Sequence, residues 1–178
     1  MFGKDFKEMA GAEFITLFGG VFAGLLLASF VDKISLIPGL FIFIPGFLEM
    51  RGNISGTLSS RLSSGMFLGA LKPKVRKNRI LNGNIMASFL LVIILSLLLG
   101  LIAYSINILV LNINSPSIIL IALIAGVLSN VIAIPITVMT TFWFFRKGHD
   151  PNNVMGPYTT TLGDIISILS LLVGILVV

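Results

Sequence analysis

Asp164 is the residue of this chain with the clearest chemical potential, because it stands in the otherwise uncharged apolar stretch from Tyr158 to Val178. A carboxylate at bilayer depth costs on the order of 3 kcal/mol on insertion scales unless it faces water, a partner or an ion. A proline and several hydroxyls recur around it at helical spacing, namely Pro157, Thr160, Thr161 and Ser167. The pattern indicates an ion or substrate path through a membrane, with Asp164 on its wall.

A second polar surface is predicted between residues 49 and 64. On a wheel of about 100° per residue, an arc of roughly 120° collects small hydroxyls, an amide and a carboxylate. These residues are Glu49, Asn53, Gly56, Thr57, Ser60, Ser63 and Ser64. The arc favours a narrow aqueous path or a hydrated cation. The alternative is close helix packing by small residues, which accounts for Gly56 and Ser60 but not for Glu49.

The remaining charged residues near these segments are assigned structural positions. Arg51 falls opposite the polar arc, where it could pair with Glu49 only if the helix is distorted, and Arg61 could extend toward the basic side or pair with a carboxylate. An ordinary interfacial role is expected at least equally for both, and neither is assigned as a ligand. Glu13 and Asp32 bracket the first apolar segment and are also expected at the interfaces. A stripe from Gly126 to Thr141 is expected to serve helix packing.

Enzymatic chemistry has almost no support in this sequence. There is no cysteine, and the one histidine, His149, lies in a basic turn and is expected to be a solvated loop residue. No phosphate-binding glycine loop, zinc motif or pair of catalytic carboxylates is present. The sequence therefore predicts a protein that is not an enzyme and that needs no cofactor.

Composition places the chain in a membrane. Hydrophobic residues make up 56% and charged residues 11% of the chain, and the mean hydropathy is +1.08. Five apolar segments are each long enough to cross a bilayer, which takes roughly 20 residues. They cover about 13–30, 36–71, 84–109, 117–145 and 157–178. We expect an all-α polytopic protein forming one domain over residues 1–178.

The second segment is the unusual one. It exceeds one span, and Pro38, Pro45 and Gly46 interrupt it together with the charged run 49–53. The sequence predicts a single long, kinked helix with an unwound or distorted centre. Such irregular backbone is tolerated at membrane depth only where it lines a cavity or packs on protein.

The basic residues predict the orientation of the five spans. One side would hold nine of them, namely Lys4, Lys7, Lys72, Lys74, Arg76, Lys77, Arg79, Arg146 and Lys147, and the other only Lys33. Because basic connections stay in the cytoplasm, the N-terminus is expected there and the C-terminus outside. The same placement explains the net charge of +5 without nucleic acid as a partner. No cleavable signal peptide is expected at the N-terminus.

Two stretches together resemble a known family. Residues 41–73 contain IPG, RGN and TLSSRLS, and residues 150–169 contain DPNNV followed by a proline and TLGD. They are similar to the membrane domain of MgtE-type magnesium transporters and, more closely, to the animal solute-carrier family forty-one. The resemblance implies a divalent-cation pathway, magnesium first, lined by the second and fifth helices. It assigns the pore acid to Asp164 and the Gly-Asn motif to Gly52 and Asn53, with Thr57 following.

The resemblance also implies an assembly. The animal carriers contain two such units in tandem and this chain has one, so a homodimer in the lipid bilayer, expected in the plasma membrane, is implied. The large cytosolic sensor domains of bacterial MgtE proteins are not expected here, since about a dozen residues precede the first span.

Oxygen ligands without thiolate or imidazole suit Mg²⁺, which keeps several of its waters. The residues expected to face the ion are Asp164, Asn53, Glu49, Thr57, Thr160 and Thr161. Two other functions stay open: a monovalent-cation or proton-coupled carrier using the same acid, and a membrane scaffold subunit that transports nothing.

Overall fold

The computed structural model describes residues 3–76 and 78–178, and its regular structure is entirely helical. In that part of the chain the helices are α1 (Lys4–Ser29), α2 (Val31–Ser35), α3 (Leu40–Phe67), α4 (Arg79–Leu111), α5 (Ser117–Arg146) and α6 (Pro151–Val177). The predicted all-α class is confirmed. Three helices begin earlier than hydropathy predicted: α1 at Lys4 rather than near residue 13, α4 at Arg79 rather than near residue 84, and α6 at Pro151 rather than near residue 157.

Within the described residues, four helices are long and apolar enough to cross a membrane, and they are α1, α4, α5 and α6. Helix α3 is of similar length, with 28 residues. It is less apolar because it carries Glu49, Arg51 and Arg61 together with a series of serines. Four spans therefore follow from length and composition, and the fifth stays a prediction.

Helix α3 is continuous through residues 49–53, so the prediction of an unwound centre is wrong. The physical reason is packing: Phe47, Ile54 and Leu58 are buried on both sides of the Gly52-Asn53 pair. Burial of these side chains overrides the weak helix propensity of glycine and asparagine. Pro45 lies inside the helix, and a kink there stays a prediction.

The bundle has one basic end and one nearly uncharged end. At the basic end, Lys4 Nζ donates to the carbonyl of Gly148 at 2.7 Å, and Val75 from the 68–78 connection shares a cavity with Arg146. At the other end, Asn107 Nδ2 donates to the carbonyl of Pro38 at 2.7 Å. The three basic connections thus lie together, as predicted. Lys77, counted among their charges, lies outside the described residues.

Small residues let α4 and α5 pack closely. A side chain at Gly126 would overlap Ser96 across the contact, and one at Gly100 would meet Ala122 and the backbone of Ile119. Thr141 on α5 donates to Ser59 Oγ on α3 at 2.9 Å. The polar stripe on α5 is therefore a packing surface, which confirms its predicted role.

Helix α6 occupies a position between α1 and α3. Its far half packs on α1 through a cluster that contains Ala23, Ile168 and Leu172. On its other side α6 packs on α3, while no Cα atoms of α1 and α3 approach within 8 Å of each other along their described lengths. One face of α6 is consequently left open between its two neighbours, and the candidate site lies on that face.

Candidate functional site

The first half of α6 is built to present a polar face. Asp150 caps the helix by accepting a hydrogen bond from the amide of Asn152 at 2.8 Å, and Pro151 follows in the first turn, where its missing N–H costs nothing. Gly156, Thr160 and Asp164 then follow at intervals of four residues and lie on one face. Asp164 stands at the middle of the helix, about 20 Å from either end at 1.5 Å per residue.

A furrow of about 620 Å³ runs between this face and α3. Its polar groups from α3 belong to Glu49, Asn53, Thr57 and Ser60, and those from α6 to Thr159, Thr160 and Asp164. The structure thereby brings together five of the residues predicted to face an ion: Asp164, Asn53, Glu49, Thr57 and Thr160. They come from two helices that are far apart in the sequence and that line opposite walls.

Thr161, the sixth predicted residue, lies on the other side of the same face. It lines a cavity of about 310 Å³ between α6 and α1, together with Glu13, Thr16, Thr160 and Asp164. Glu13 was expected at a membrane interface, and that position stays a prediction; the structure shows that it lies within α1, which begins at Lys4, and lines this cavity. The structure therefore adds an acid from α1 to the surroundings of Asp164.

Arg51 is the principal residue that sequence reasoning missed. Its side chain is 1% exposed and lies 3.0 Å from Asp164 as an ion pair, from Arg51 Nη2 to Asp164 Oδ1. It also donates to two carbonyls of α6, through Nη1 to Thr159 at 3.0 Å and through Nη2 to Thr160 at 3.2 Å. The interfacial role predicted for Arg51 is thus wrong: a long side chain on the apolar side of α3 reaches across to α6.

A sequence signal for this pair did exist. An arginine and an aspartate in segments of membrane-spanning length are both costly there and are expected to find a partner of opposite charge. A helical wheel could not predict that Arg51 pairs with Asp164, because it sorts residues within one helix and carries no information on which helix lies alongside.

Gly163 makes the ion pair sterically possible. A Cβ at this position would overlap the guanidinium of Arg51. The glycine in the TLGD sequence therefore leaves space for the guanidinium of Arg51 directly beside Asp164. Asp164 itself keeps 22% of its side chain exposed towards the furrow.

The polar arc predicted on α3 faces the furrow and the outside of the protomer. Glu49, Asn53, Thr57 and Ser60 are exposed, and Asn53 Nδ2 donates to Glu49 Oε1 at 3.0 Å. Ser63 is the exception, since it is buried and accepts a hydrogen bond from Asn152 at 3.1 Å. In the described chain, no three His, Asp or Glu side chains are grouped as a metal cluster.

Comparison with known proteins identifies the family to which this chain belongs. The family model MgtE, described as a divalent cation transporter, matches residues 44–174. That range includes both walls of the furrow and both members of the ion pair. The chain belongs to the MgtE family. The resemblance found in the sequence motifs is confirmed, and so is the prediction that the protein is a transporter-family member rather than an enzyme. Glu13, which precedes the matched range, lies outside the MgtE match.

Curated animal proteins are similar to this chain at low identity. Solute carrier family 41 member 2 of Gallus gallus is 28% identical over 163 residues, which is 85% of this chain and 27% of that protein. The Xenopus laevis protein of the same name is 27% identical and is covered over 28% of its length. The Homo sapiens protein is 26% identical and is covered over 27% of its length. This MgtE-family chain thus spans about a quarter of the curated relatives it matches.

Proposed function

We propose that two copies of this chain form a pathway that carries divalent cations, Mg²⁺ first, across a membrane between α3 and α6. The observation that carries the proposal is the position of Asp164. Its carboxylate lies at mid-helix, partly exposed, in a furrow whose other polar groups are hydroxyls, an amide and Glu49. An acid kept at this depth, in a family of divalent cation transporters, is best explained as an ion-binding group.

The ligand chemistry favours a hard, hydrated cation. The furrow offers the oxygens of Glu49, Asn53, Thr57, Thr160 and Asp164, and the chain has no cysteine. Mg²⁺ prefers oxygen ligands and sheds its waters reluctantly, so it suits a wide polar groove in which one or two carboxylates act through water. Thiolate and imidazole ligands, which suit zinc and copper, do not line this furrow.

The proposal treats residues 1–178 as one transport domain with five crossings, α3 being the fifth. At about 1.5 Å per residue, α3 is about 42 Å long and exceeds a hydrocarbon core of about 30 Å. It joins the end that holds Pro38 to the end that holds the 68–78 connection, as a crossing helix must. The charge of Arg51 does not oppose this assignment, because Arg51 is paired inside the bundle with Asp164.

The homodimer is supported by the polar face that α3 leaves uncovered. Glu49, Asn53 and Thr57 are exposed on the outside of the protomer near the middle of α3. A carboxylate and an amide facing hydrocarbon would be costly. A second copy related by a two-fold axis would cover this face with the same face and close the furrow into a pathway.

We place the protein in the plasma membrane with its basic end in the cytoplasm. The basic end collects Lys4, Lys72, Lys74, Arg146 and Lys147, whereas Lys33 lies near the other end. Basic connections are retained on the cytoplasmic side during insertion, and the N-terminus would follow them.

Uptake by proteoliposomes that contain only this protein tests the proposal. Entry of Mg²⁺ is followed with a trapped fluorescent indicator, with and without an excess of Na⁺. Mg²⁺ entry that Na⁺ does not replace is expected. Flux of Na⁺ or protons without Mg²⁺ would indicate a monovalent carrier, and the absence of any flux would indicate a scaffold subunit.

A further inference from the structure

The ion pair between Arg51 and Asp164 places a fixed positive charge on the group proposed to bind the ion. Arg51 Nη2 is bonded to Asp164 Oδ1 at 3.0 Å, and the same carboxylate is partly exposed to the furrow. A guanidinium and a divalent cation both require the negative charge of this carboxylate. They therefore compete for it electrostatically, and each weakens the binding of the other.

We infer that Arg51 is an internal competitor for Asp164, a positioning residue that lowers the affinity of the pathway for its ion and so permits rapid release. This inference rests on the proposed function, since it takes Asp164 as the ion-binding group. Conduction requires that binding be strong enough for entry and weak enough for exit. A positive charge beside the binding acid weakens ion binding enough for the ion to leave.

The hydrogen bonds of Arg51 to the backbone of α6 keep its guanidinium beside Asp164 at all times. Its bonds to the carbonyls of Thr159 and Thr160 hold the guanidinium on α6 independently of the carboxylate. When Asp164 turns towards an ion, these two bonds keep Arg51 in place. The guanidinium then recovers the carboxylate as soon as the ion moves on.

Gly163 sets the distance over which this competition acts. Because a Cβ there would overlap the guanidinium, Gly163→Ala must displace the guanidinium of Arg51 from its position beside Asp164. The substitution leaves every charge of the furrow unchanged. It therefore separates the position of the guanidinium from its presence.

The test is the dependence of uptake on Mg²⁺ concentration in proteoliposomes, at about pH 8 so that free carboxyls are ionised. Arg51→Met removes the charge and keeps much of the side-chain length. We expect the half-saturating Mg²⁺ concentration to fall roughly tenfold and the maximal rate to fall as well, because a charge-assisted hydrogen bond to Asp164 no longer opposes the ion. Arg51→Lys keeps the charge but cannot reproduce the forked hydrogen bonds of the guanidinium, so its half-saturating concentration should fall less than that of Arg51→Met.

Two controls make the result specific. Arg61→Met applies the same change to an exposed arginine of the same helix and should leave half-saturation unchanged. If Arg51→Met does not fold, Gly163→Ala tests the inference in its place, and a lower half-saturating Mg²⁺ concentration is expected. Gly83→Ala, at an open position on α4, is the control for this variant.

An unchanged or higher half-saturating concentration in Arg51→Met, or in Gly163→Ala where it is the deciding variant, would overturn the inference, because a purely structural role lowers the rate without tightening binding. This failure is distinct from failure of the proposed function. The latter would appear as normal Mg²⁺ uptake by Asp164→Asn.

Discussion

The guanidinium of Arg51 and the carboxylate of Asp164 meet at 3.0 Å in the contact between α3 and α6, near the middle of both helices. This contact joins the two walls of the furrow. It also reconciles two charges with an apolar setting, since each neutralises the other. The position of Asp164 beside the furrow thus depends on a residue of another helix.

The ion pair leads to a prediction about stability. Arg51→Ala should lower the free energy of unfolding by about 3 kcal/mol at most, because it removes the buried partner of Asp164 while Asp164 stays partly exposed to the furrow. Asp164→Asn should cost less, since the amide oxygen still accepts a hydrogen bond from Arg51. Thermal unfolding of the purified variants in detergent compares the two. If both variants melted at the same temperature as the wild type, the ion pair would not hold α3 on α6.

Glu13 gives a second prediction, because it shares a cavity with Asp164 and Thr161. Glu13→Gln should raise the half-saturating Mg²⁺ concentration a few-fold and leave the maximal rate nearly unchanged, as expected for an acid that concentrates cations near the site. The effect should shrink at high ionic strength. Asp32→Asn, on exposed α2, is the control. Equal uptake curves for wild type and Glu13→Gln at low salt would remove Glu13 from the site.

Much of this organisation could be predicted from the sequence, because hydropathy and helical periodicity act within one helix. The wheel for α3 correctly separated exposed Asn53 and Thr57 from buried Ile54 and Leu58. What it could not supply was the identity of the neighbouring helix, so Arg51 was left without its partner. The start of α1 was predicted too late for another reason: the helix extends into a charged N-terminal stretch, where hydropathy falls below that of a span although the helix continues.

The orientation can be tested with introduced cysteines, since the chain has none of its own. Leu36→Cys and Val75→Cys are suited to this, because these side chains are 78% and 71% exposed and lie in connections at opposite ends of the bundle. In intact cells, an impermeant maleimide should label position 36 and not position 75. Both should react after permeabilisation. Labelling of position 75 from outside would reverse or abolish the five-span topology.

The homodimer is tested by cross-linking through the exposed face of α3. Thr57→Cys should form a covalent dimer with an oxidant or a short bifunctional reagent in the membrane, because the two-fold axis would bring copies of this face together. Ile94→Cys, at an exposed position on apolar α4, should remain monomeric under the same treatment. A dimer formed through position 94 and not through position 57 would place the interface elsewhere.

The most direct measurement is Mg²⁺ uptake by Asp164→Asn in proteoliposomes, beside the wild type and Glu49→Gln. The asparagine keeps the size and one acceptor oxygen but removes the charge, so the protein should fold while uptake falls at least tenfold, a change of about 1.4 kcal/mol. Asp164→Glu should retain part of the activity. Glu49→Gln should have a smaller effect, because Glu49 is exposed and hydrogen-bonded to Asn53. Normal Mg²⁺ uptake by folded Asp164→Asn would contradict the central claim that this carboxylate binds the transported ion.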